Sequence, residues 1–112
     1  MKKRNIILIG MPGAGKSSVG VILAKALGYE FIDTDLVIQH REKRLLREII
    51  ADEGNEGFLA IENEVNATLE ADKSVIAPGG SAIYGKEAME HFKEIGTIVY
   101  LKLSYEDLAK RL

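Results

Sequence analysis

A glycine-rich segment near the start of the chain holds residue types that suit anion binding. Residues 10–17 spell Gly-Met-Pro-Gly-Ala-Gly-Lys-Ser and fit the pattern G-x-x-x-x-G-K-[ST] at every required position. The glycines let successive backbone N–H groups turn towards one anion, and the following helix points its positive end at the same place. In this pattern Lys16 reaches the β- and γ-phosphates of a nucleotide, and the Ser17 hydroxyl ligates Mg²⁺. The segment therefore predicts a phosphate-binding loop rather than a plain turn with a surface lysine.

Two aspartates two residues apart form a second group with possible chemistry. Asp33 and Asp35 follow the apolar pair Phe31-Ile32, and in an extended segment residues i and i+2 project to the same side. One carboxylate could join a magnesium shell while the other accepts the proton of an attacking hydroxyl, as phosphoryl transfer requires. The alternative is that Asp33 caps the next helix and Asp35 only enriches its first turn. The phosphate-binding loop upstream favours the catalytic hypothesis.

The turn Pro78-Gly79-Gly80-Ser81 is the third candidate. Two adjacent glycines directly after a predicted buried strand allow a ligand to approach the backbone closely. A plain turn would use the same residues. Both interpretations stay open until the position of the turn in the fold is considered.

The order of the predicted elements brings these three segments together. Strands are predicted at residues 6–9, 29–32, 74–77 and 97–103, and helices at 17–27, 36–44, 46–52, 56–71, 86–95 and from 105 onward. This alternation predicts an α/β fold whose parallel sheet is covered by helices on both faces. Ligands of such sheets bind beyond the carboxyl ends of the strands, so the three segments should share one rim.

Apolar residues at helical spacing predict which helix faces are buried. For the first helix these residues are Val19, Leu23 and Ala26, with Ile22 beside them, and for the longest helix they are Phe58, Ile61, Val65 and Leu69. Among the polar residues of the longest helix, Glu62 and Glu64 are expected to have surface or structural roles. Glu62 is the better candidate to orient a group in a pocket.

Composition excludes several classes of protein. The 112 residues suffice for one small domain, residues 1–112. With 46% hydrophobic and 29% charged residues, neither disorder nor a membrane span is indicated. The net charge of -2 argues against a general nucleic-acid surface, and the absence of cysteine excludes disulfides. We expect a cytoplasmic monomer that acts on a small molecule.

With these motifs in this order, the chain resembles the shikimate kinase family, a group of P-loop kinases that act on small metabolites. The similarity extends over the whole chain and rests on segments 10–18, 31–35, 54–58 with Glu62, 77–80 and 99–101. It implies ATP- and Mg²⁺-dependent phosphorylation of the 3-hydroxyl of shikimate. It also implies a three-layer P-loop kinase fold with strand order 2-3-1-4-5, whose fifth strand is missing from the given chain.

The resemblance also implies roles for individual residues. It implies that Ser17 and Asp33 bind magnesium. It also implies that Asp35 binds the substrate hydroxyls and acts as the base, and that Lys16 is catalytic. The residues expected to hold the nucleotide phosphates are Gly13, Ala14, Gly15, Lys16, Ser17 and Ser18. The residues expected to line the substrate pocket are Asp35, Leu59, Gly79, Gly80 and Ser81.

Two of these positions depart from the usual pattern of the family. Members usually carry an arginine straight after the phenylalanine of the helix entry, where it grips the substrate carboxylate, and this chain has Leu59. The third glycine of the family's turn is here Ser81. The leading hypothesis is a kinase for shikimate or a related hydroxy acid. A nucleoside-monophosphate or gluconate-type kinase and a catalytically silent nucleotide-binding protein stay open as alternatives.

The predicted last helix has neither a cap nor a glycine where the chain stops at Leu112. We expect that the protein continues beyond this residue into a lid and a C-terminal part. The alternative is a complete chain that binds nucleotides without turnover.

Overall fold

The computed structural model describes residues 4–10 and 16–101, without the side chains of Lys16 and Ser17. The elements in chain order are β1 (Asn5–Gly10), α1 (Lys16–Leu27), β2 (Glu30–Asp33), α2 (Thr34–Glu42), α3 (Leu46–Ala67), β3 (Ser74–Ala77), a short 3₁₀ helix (Ala82–Tyr84), α4 (Lys86–Ile95) and β4 (Gly96–Leu101). This alternation confirms the predicted α/β class. The predicted helix from residue 105 onward and the loop residues Gly13, Ala14 and Gly15 lie outside the described residues.

The four strands form one parallel sheet in the order β2-β3-β1-β4. This order confirms the prediction for the first four strands. Because β1 pairs with β3 on one side and with β4 on the other, it is a central strand. Its run of apolar residues, Ile6 to Ile9, fits a strand that is covered on both faces.

Alternate residues of β1 face two different helical layers. Ile7 and Ile9 belong to a buried cluster that contains Phe92 of α4. Leu8 belongs to a second cluster with Ala24 of α1. The sheet therefore lies between α1 on one face and α4 on the other, which is the predicted three-layer arrangement. Part of the core lies away from the sheet, where α2 and α3 bury Ile38, Ile49, Phe58 and Val65 against each other.

Helix α1 packs more closely on the sheet than its apolar residues predict. A Cβ on Gly20 would stand 2.5 Å from Cε1 of Phe31, so only a small residue fits at the contact. From Ser18 to the end of α1 the buried residues are Gly20 and Ala24, whereas Ile22 is 70% exposed and Ala26 is also exposed. Of the three residues at helical spacing, Val19 and Leu23 pack against the second cluster as predicted, and the prediction is wrong for Ala26.

Helix α3 consists of two helical segments that meet at a kink, which agrees with the two helices predicted for this part of the chain. The kink is at Gly54, whose φ of 76° and ψ of 174° are not helical. The predicted end of the helix at residue 71 is wrong, since α3 ends at Ala67. At this end the Thr68 hydroxyl donates to the carbonyl of Glu64 at 2.8 Å and satisfies a group that the helix leaves open.

Asn5 joins three parts of the fold at the amino end of β1. Its Nδ2 donates to the carbonyls of Ala71 and Ile95, both at 2.9 Å, and its Oδ1 accepts from the N–H of Ser74 at 3.1 Å. The side chain is buried. It therefore ties the entry of β3 and the end of α4 to β1. Within the described part of the chain, no helix is both long and apolar enough to cross a membrane.

Candidate active site

The carboxyl ends of three adjacent strands bring the predicted segments to one edge of the sheet. β1 ends at Gly10, directly before the phosphate-binding loop, and α1 begins at Lys16. β2 ends at Asp33, which is paired with Ala77 at the end of β3. The Asp33-Thr34-Asp35 and Pro78-Gly79-Gly80-Ser81 segments therefore start side by side, at the same edge as the loop.

Asp33 caps α2. It has extended backbone angles, and its Oδ1 accepts a hydrogen bond from the backbone N–H of Asp35 at 2.9 Å. The capping alternative from the sequence is thus realised in the structure. It engages one oxygen, and a carboxylate has a second oxygen that can take a further ligand. A cap and a metal contact are therefore compatible at this residue.

Gly79 lies between two carboxylates that come from different helices. A Cβ on Gly79 would stand 2.9 Å from Oε2 of Glu62 and 3.0 Å from Oδ1 of Asp35. The two oxygens are therefore within about 6 Å of each other, a range in which like charges interact strongly. The absence of a side chain at Gly79 is what allows α2, α3 and the turn after β3 to meet at this point.

Glu62 is buried, with 2% of its surface exposed. Its Oε1 accepts a hydrogen bond from the Ser81 hydroxyl at 2.7 Å. A buried carboxylate needs such a partner, because its desolvation is costly otherwise. Of the surface or structural roles expected for Glu62, its burial leaves the structural one, and its predicted use in orienting a pocket group fits the contact with Ser81.

A cavity of about 280 Å³ opens beside Glu62 and Ser81, between α3 and the segment from Ser81 to the start of α4. Its wall includes Leu59, Glu62, Asn63, Ser81, Lys86 and Glu87. Leu59 is 39% exposed, so an apolar surface faces the opening. Leu59 and Ser81 thus line the same cavity, whereas Asp35, Gly79 and Gly80 are not part of its wall, and Gly80 is exposed.

Asn63 holds the start of α4 against α3. Its Oδ1 accepts from the N–H of Ala88 at 3.0 Å, and its Nδ2 donates to Oε2 of Glu87 at 2.9 Å. This hydrogen bond, together with one from the backbone N–H of Glu87 itself, lowers the pKa of the Glu87 carboxyl. The N-cap residue of α4 is Gly85, which has no side chain to cap with. The sequence analysis missed Asn63, although an uncapped helix start signals that a cap must come from elsewhere.

The remaining predicted residues belong to the phosphate-binding loop. Lys16 and Ser17 occupy the first turn of α1, and Ser18 after them is exposed. Among the described residues, no three histidine, aspartate or glutamate side chains converge as a metal-binding cluster would.

Comparison with known proteins places this arrangement in a family. The sequence profile described as shikimate kinase matches residues 12–112. The curated shikimate kinase 2 of Yersinia pseudotuberculosis serotype O:3 is similar to the chain, with 39% identity over 109 residues, which cover 97% of the chain and 63% of the relative. The chain thus spans about 63% of the length of the curated relatives that it matches.

Solved structures agree with the sequence comparison. Shikimate kinase from Acinetobacter baumannii in complex with shikimate is similar in fold with a TM-score of 0.85 and 37% identity, over 97% of this chain and 62% of that one. Shikimate kinase from Aquifex aeolicus has a TM-score of 0.81 and 35% identity, over 91% of this chain and 61% of that one. On the matched profile, the relatives and the strand order together, the chain belongs to the shikimate kinase family.

Proposed function

We propose that the protein transfers the γ-phosphoryl group of ATP to a hydroxyl group of a small metabolite, with shikimate or a compound of similar size as the acceptor. The observation that carries this proposal is the meeting of Asp35, Glu62 and Gly79 at the edge of the sheet where the phosphate-binding loop begins. Family membership favours this reaction over nucleoside-monophosphate or gluconate phosphorylation. Because the chain spans 63% of its curated relatives, the activity is proposed for the protein as a whole.

Asp35 is the proposed base for the acceptor hydroxyl. It is half-buried in the first turn of α2, and one of its oxygens lies against Gly79. A carboxylate at this place can accept the hydroxyl proton and hold the oxygen in line with the phosphoryl group. Positioning of this kind supplies much of the catalysis in phosphoryl transfer.

Lys16 and Ser17 are proposed to hold the nucleotide phosphates together with residues 13–15 and Ser18. Both lie in the first turn of α1, where backbone N–H groups favour an anion. Asp33 at the end of β2 offers a carboxylate oxygen, which is the type of ligand that Mg²⁺ prefers. Ser17 and Asp33 therefore fit a magnesium ion, which would neutralise charge on the phosphates when bound.

An assay of ADP release by the full chain, with ATP, Mg²⁺ and shikimate, tests the proposal. We expect Asp35→Asn to lower kcat by about a hundredfold or more, because a general base typically contributes this much. Asp52→Asn is the matched control, since Asp52 is exposed and pairs with Arg44 away from the site. Full activity of Asp35→Asn would exclude its role as base. Nucleotide binding by calorimetry, without ADP release for shikimate, gluconate or any other alcohol tested, would favour the silent binding protein.

A further inference from the structure

The side chain of Ser81 connects the turn after β3 to helix α3. We propose that the Ser81 hydroxyl is a positioning group, which keeps Glu62 and Gly79 in the places that set the geometry around Asp35. The inference rests on the proposed function, because Asp35 is the base proposed there. It assigns Ser81 a role in turnover that is exerted through its neighbours.

The first observation is the hydrogen bond between Ser81 and Glu62. The Oγ of Ser81 donates to Oε1 of Glu62 at 2.7 Å, and Glu62 is buried. This short distance is typical of a hydroxyl that donates to a carboxylate. Ser81 itself is half-buried. The bond therefore ties the turn to α3, alongside the other interactions of Glu62.

The second observation is the backbone of the turn. The N–H of Ala82 donates to the carbonyl of Gly79 at 3.0 Å, which closes residues 79–82 into a β-turn. Ser81, with φ of -91° and ψ of 1°, has the angles of the third residue of a type I turn. Ala82, which ends the turn, is buried. Gly79 and Ser81 therefore belong to one closed unit, and a shift of Ser81 is passed on to Gly79.

The third observation is that Glu62 meets the same turn with its second oxygen. A Cβ on Gly79 would lie 2.9 Å from Oε2 of Glu62 and 3.0 Å from Oδ1 of Asp35. The two oxygens of a carboxyl group move together, so the bond from Ser81 to Oε1 also places Oε2 beside Gly79. Glu62 thus lies against the turn at two places, and the second of them is next to the proposed base.

The sheet fixes Asp35 from the other side. The N–H of Asp35 donates to Oδ1 of Asp33 at 2.9 Å, and Asp33 is paired with Ala77 at the end of β3. The strands therefore set where α2 and the turn begin, and the bond between Ser81 and Glu62 sets how the turn continues past Asp35. Displacement of a reacting group by roughly 1 Å can cost about a hundredfold in rate. Loss of the Ser81 hydroxyl should therefore be felt at Asp35.

Kinetics of Ser81 variants test the inference. We compare kcat and the KM for ATP of the full chain, with shikimate or whichever alcohol of the ADP-release assay the wild type uses fastest. Ser81→Ala should lower kcat by about tenfold or more and leave the KM for ATP unchanged. Ser81→Thr retains a hydroxyl on Cβ and should keep most of the turnover.

Ser74→Ala is the matched control. Ser74 is a buried serine at the amino end of β3, where its hydroxyl donates to the carbonyl of Asp72 at 3.2 Å. This variant should lose unfolding free energy in urea without a change in kcat. If Ser81→Ala behaves in the same way, its hydroxyl has a structural role alone, and the inference is overturned. An equal loss of kcat in Ser81→Ala and Ser81→Thr also overturns it, because the hydroxyl would not be the cause.

A double-mutant cycle shows whether Ser81 acts through Glu62. Glu62→Met removes both carboxyl oxygens and fills a similar volume. In this background Ser81→Ala should lower kcat little or not at all, because residues that act through one contact are not additive. The same fold loss in both backgrounds overturns the inference. The double variant removes both partners of the bond at once, so this comparison does not require Ser81→Ala to fold on its own.

The wild-type protein separates the two proposals. If it is folded and binds ATP but releases no ADP with any acceptor, the proposed function fails, and the inference fails with it. Turnover by the wild type together with an unaffected Ser81→Ala variant overturns the inference alone. Circular dichroism of each variant separates a loss of turnover from a loss of folding.

Discussion

Gly79 has no room for a side chain, because a Cβ would meet Oε2 of Glu62 and Oδ1 of Asp35 at 2.9 and 3.0 Å. Gly79→Ala should therefore displace at least one of these carboxylates. We expect kcat to fall by about a hundredfold, the usual effect of moving a reacting group by roughly 1 Å. ATP affinity, measured by calorimetry, should not change, since the phosphate-binding loop is a separate segment. Unchanged turnover in this variant would show that the close approach at Gly79 has no catalytic importance.

Asn63 is the second residue whose role becomes visible in the structure. Asn63→Ala removes the acceptor for the N–H of Ala88 at the start of α4. We expect a loss of about 1 kcal/mol in the free energy of unfolding, the typical cost of a lost helix cap. Urea denaturation measures this loss. Asn63→Asp keeps an oxygen that can accept from the N–H of Ala88. At low pH, where the new carboxyl is neutral, we expect this variant to lose less unfolding free energy than Asn63→Ala.

The Asn63→Ala substitution should also change how the stability of the protein depends on pH. The pKa of Glu87 is lowered in the folded protein, chiefly by its hydrogen bond with Asn63. A lowered pKa contributes stability above the ordinary value of 4.5, and this contribution is lost as the pH falls through the folded value. In Asn63→Ala the pKa of Glu87 should rise, as NMR titration can show. The stability difference between wild type and variant should therefore be larger at neutral pH than in strong acid, and the reverse trend would contradict the assignment.

At the scale of elements, α3 depends on one glycine for its shape. Gly54 at φ 76° and ψ 174° has a backbone conformation that is essentially restricted to glycine. We expect Gly54→Ala to cost about 2 kcal/mol of unfolding free energy. The exposed Glu56→Ala on the same helix is the control and should change stability by less than about 0.5 kcal/mol. Equal effects of the two substitutions would show that the kink is not required.

The helices also show where sequence patterns succeed and where they fail. Periodicity identified the buried face of α3, where Phe58 and Val65 pack against α2. For α1 it succeeded in part, because Val19 and Leu23 pack against the cluster that contains Leu8, whereas the apolar Ile22 is left exposed. A pattern of apolar residues indicates a face that can be buried. It carries no information on how near the neighbouring layer lies.

At the scale of the whole molecule, the buried side chain of Asn5 connects β1, β3 and the end of α4. Asn5→Ala would leave two carbonyls and one N–H without their partner. We expect a loss of about 3 kcal/mol or more, since each buried group left unsatisfied costs about 1–3 kcal/mol. Such a loss is a large part of the stability of a small domain. Asn55→Ala, at an exposed position, is the control. If the thermal unfolding temperature of Asn5→Ala is as little changed as that of Asn55→Ala, the connecting role of Asn5 is contradicted.

The parallel sheet and its common edge followed from the alternation of strands and helices, whereas the strand order was implied by the resemblance to the shikimate kinase family. The contact of Glu62 with Ser81 could not be predicted in the same way. The two residues are far apart in the chain, and their meeting depends on how α3 lies over the turn after β3. The sequence indicated that both residues were of interest, and only the packing of the elements made them partners.

Several residues proposed to lie near the acceptor are distant in sequence from the proposed nucleotide loop. Leu59, Glu62 and Asn63 all belong to the part of α3 beyond its kink, and they lie more than thirty residues after the phosphate-binding loop. Some leucine codons differ from arginine codons by a single nucleotide, as some serine codons do from glycine codons. After a gene duplication, point mutations at these few codons would redirect the proposed kinase to a new acceptor and leave the sequence of the phosphate-binding loop unaltered.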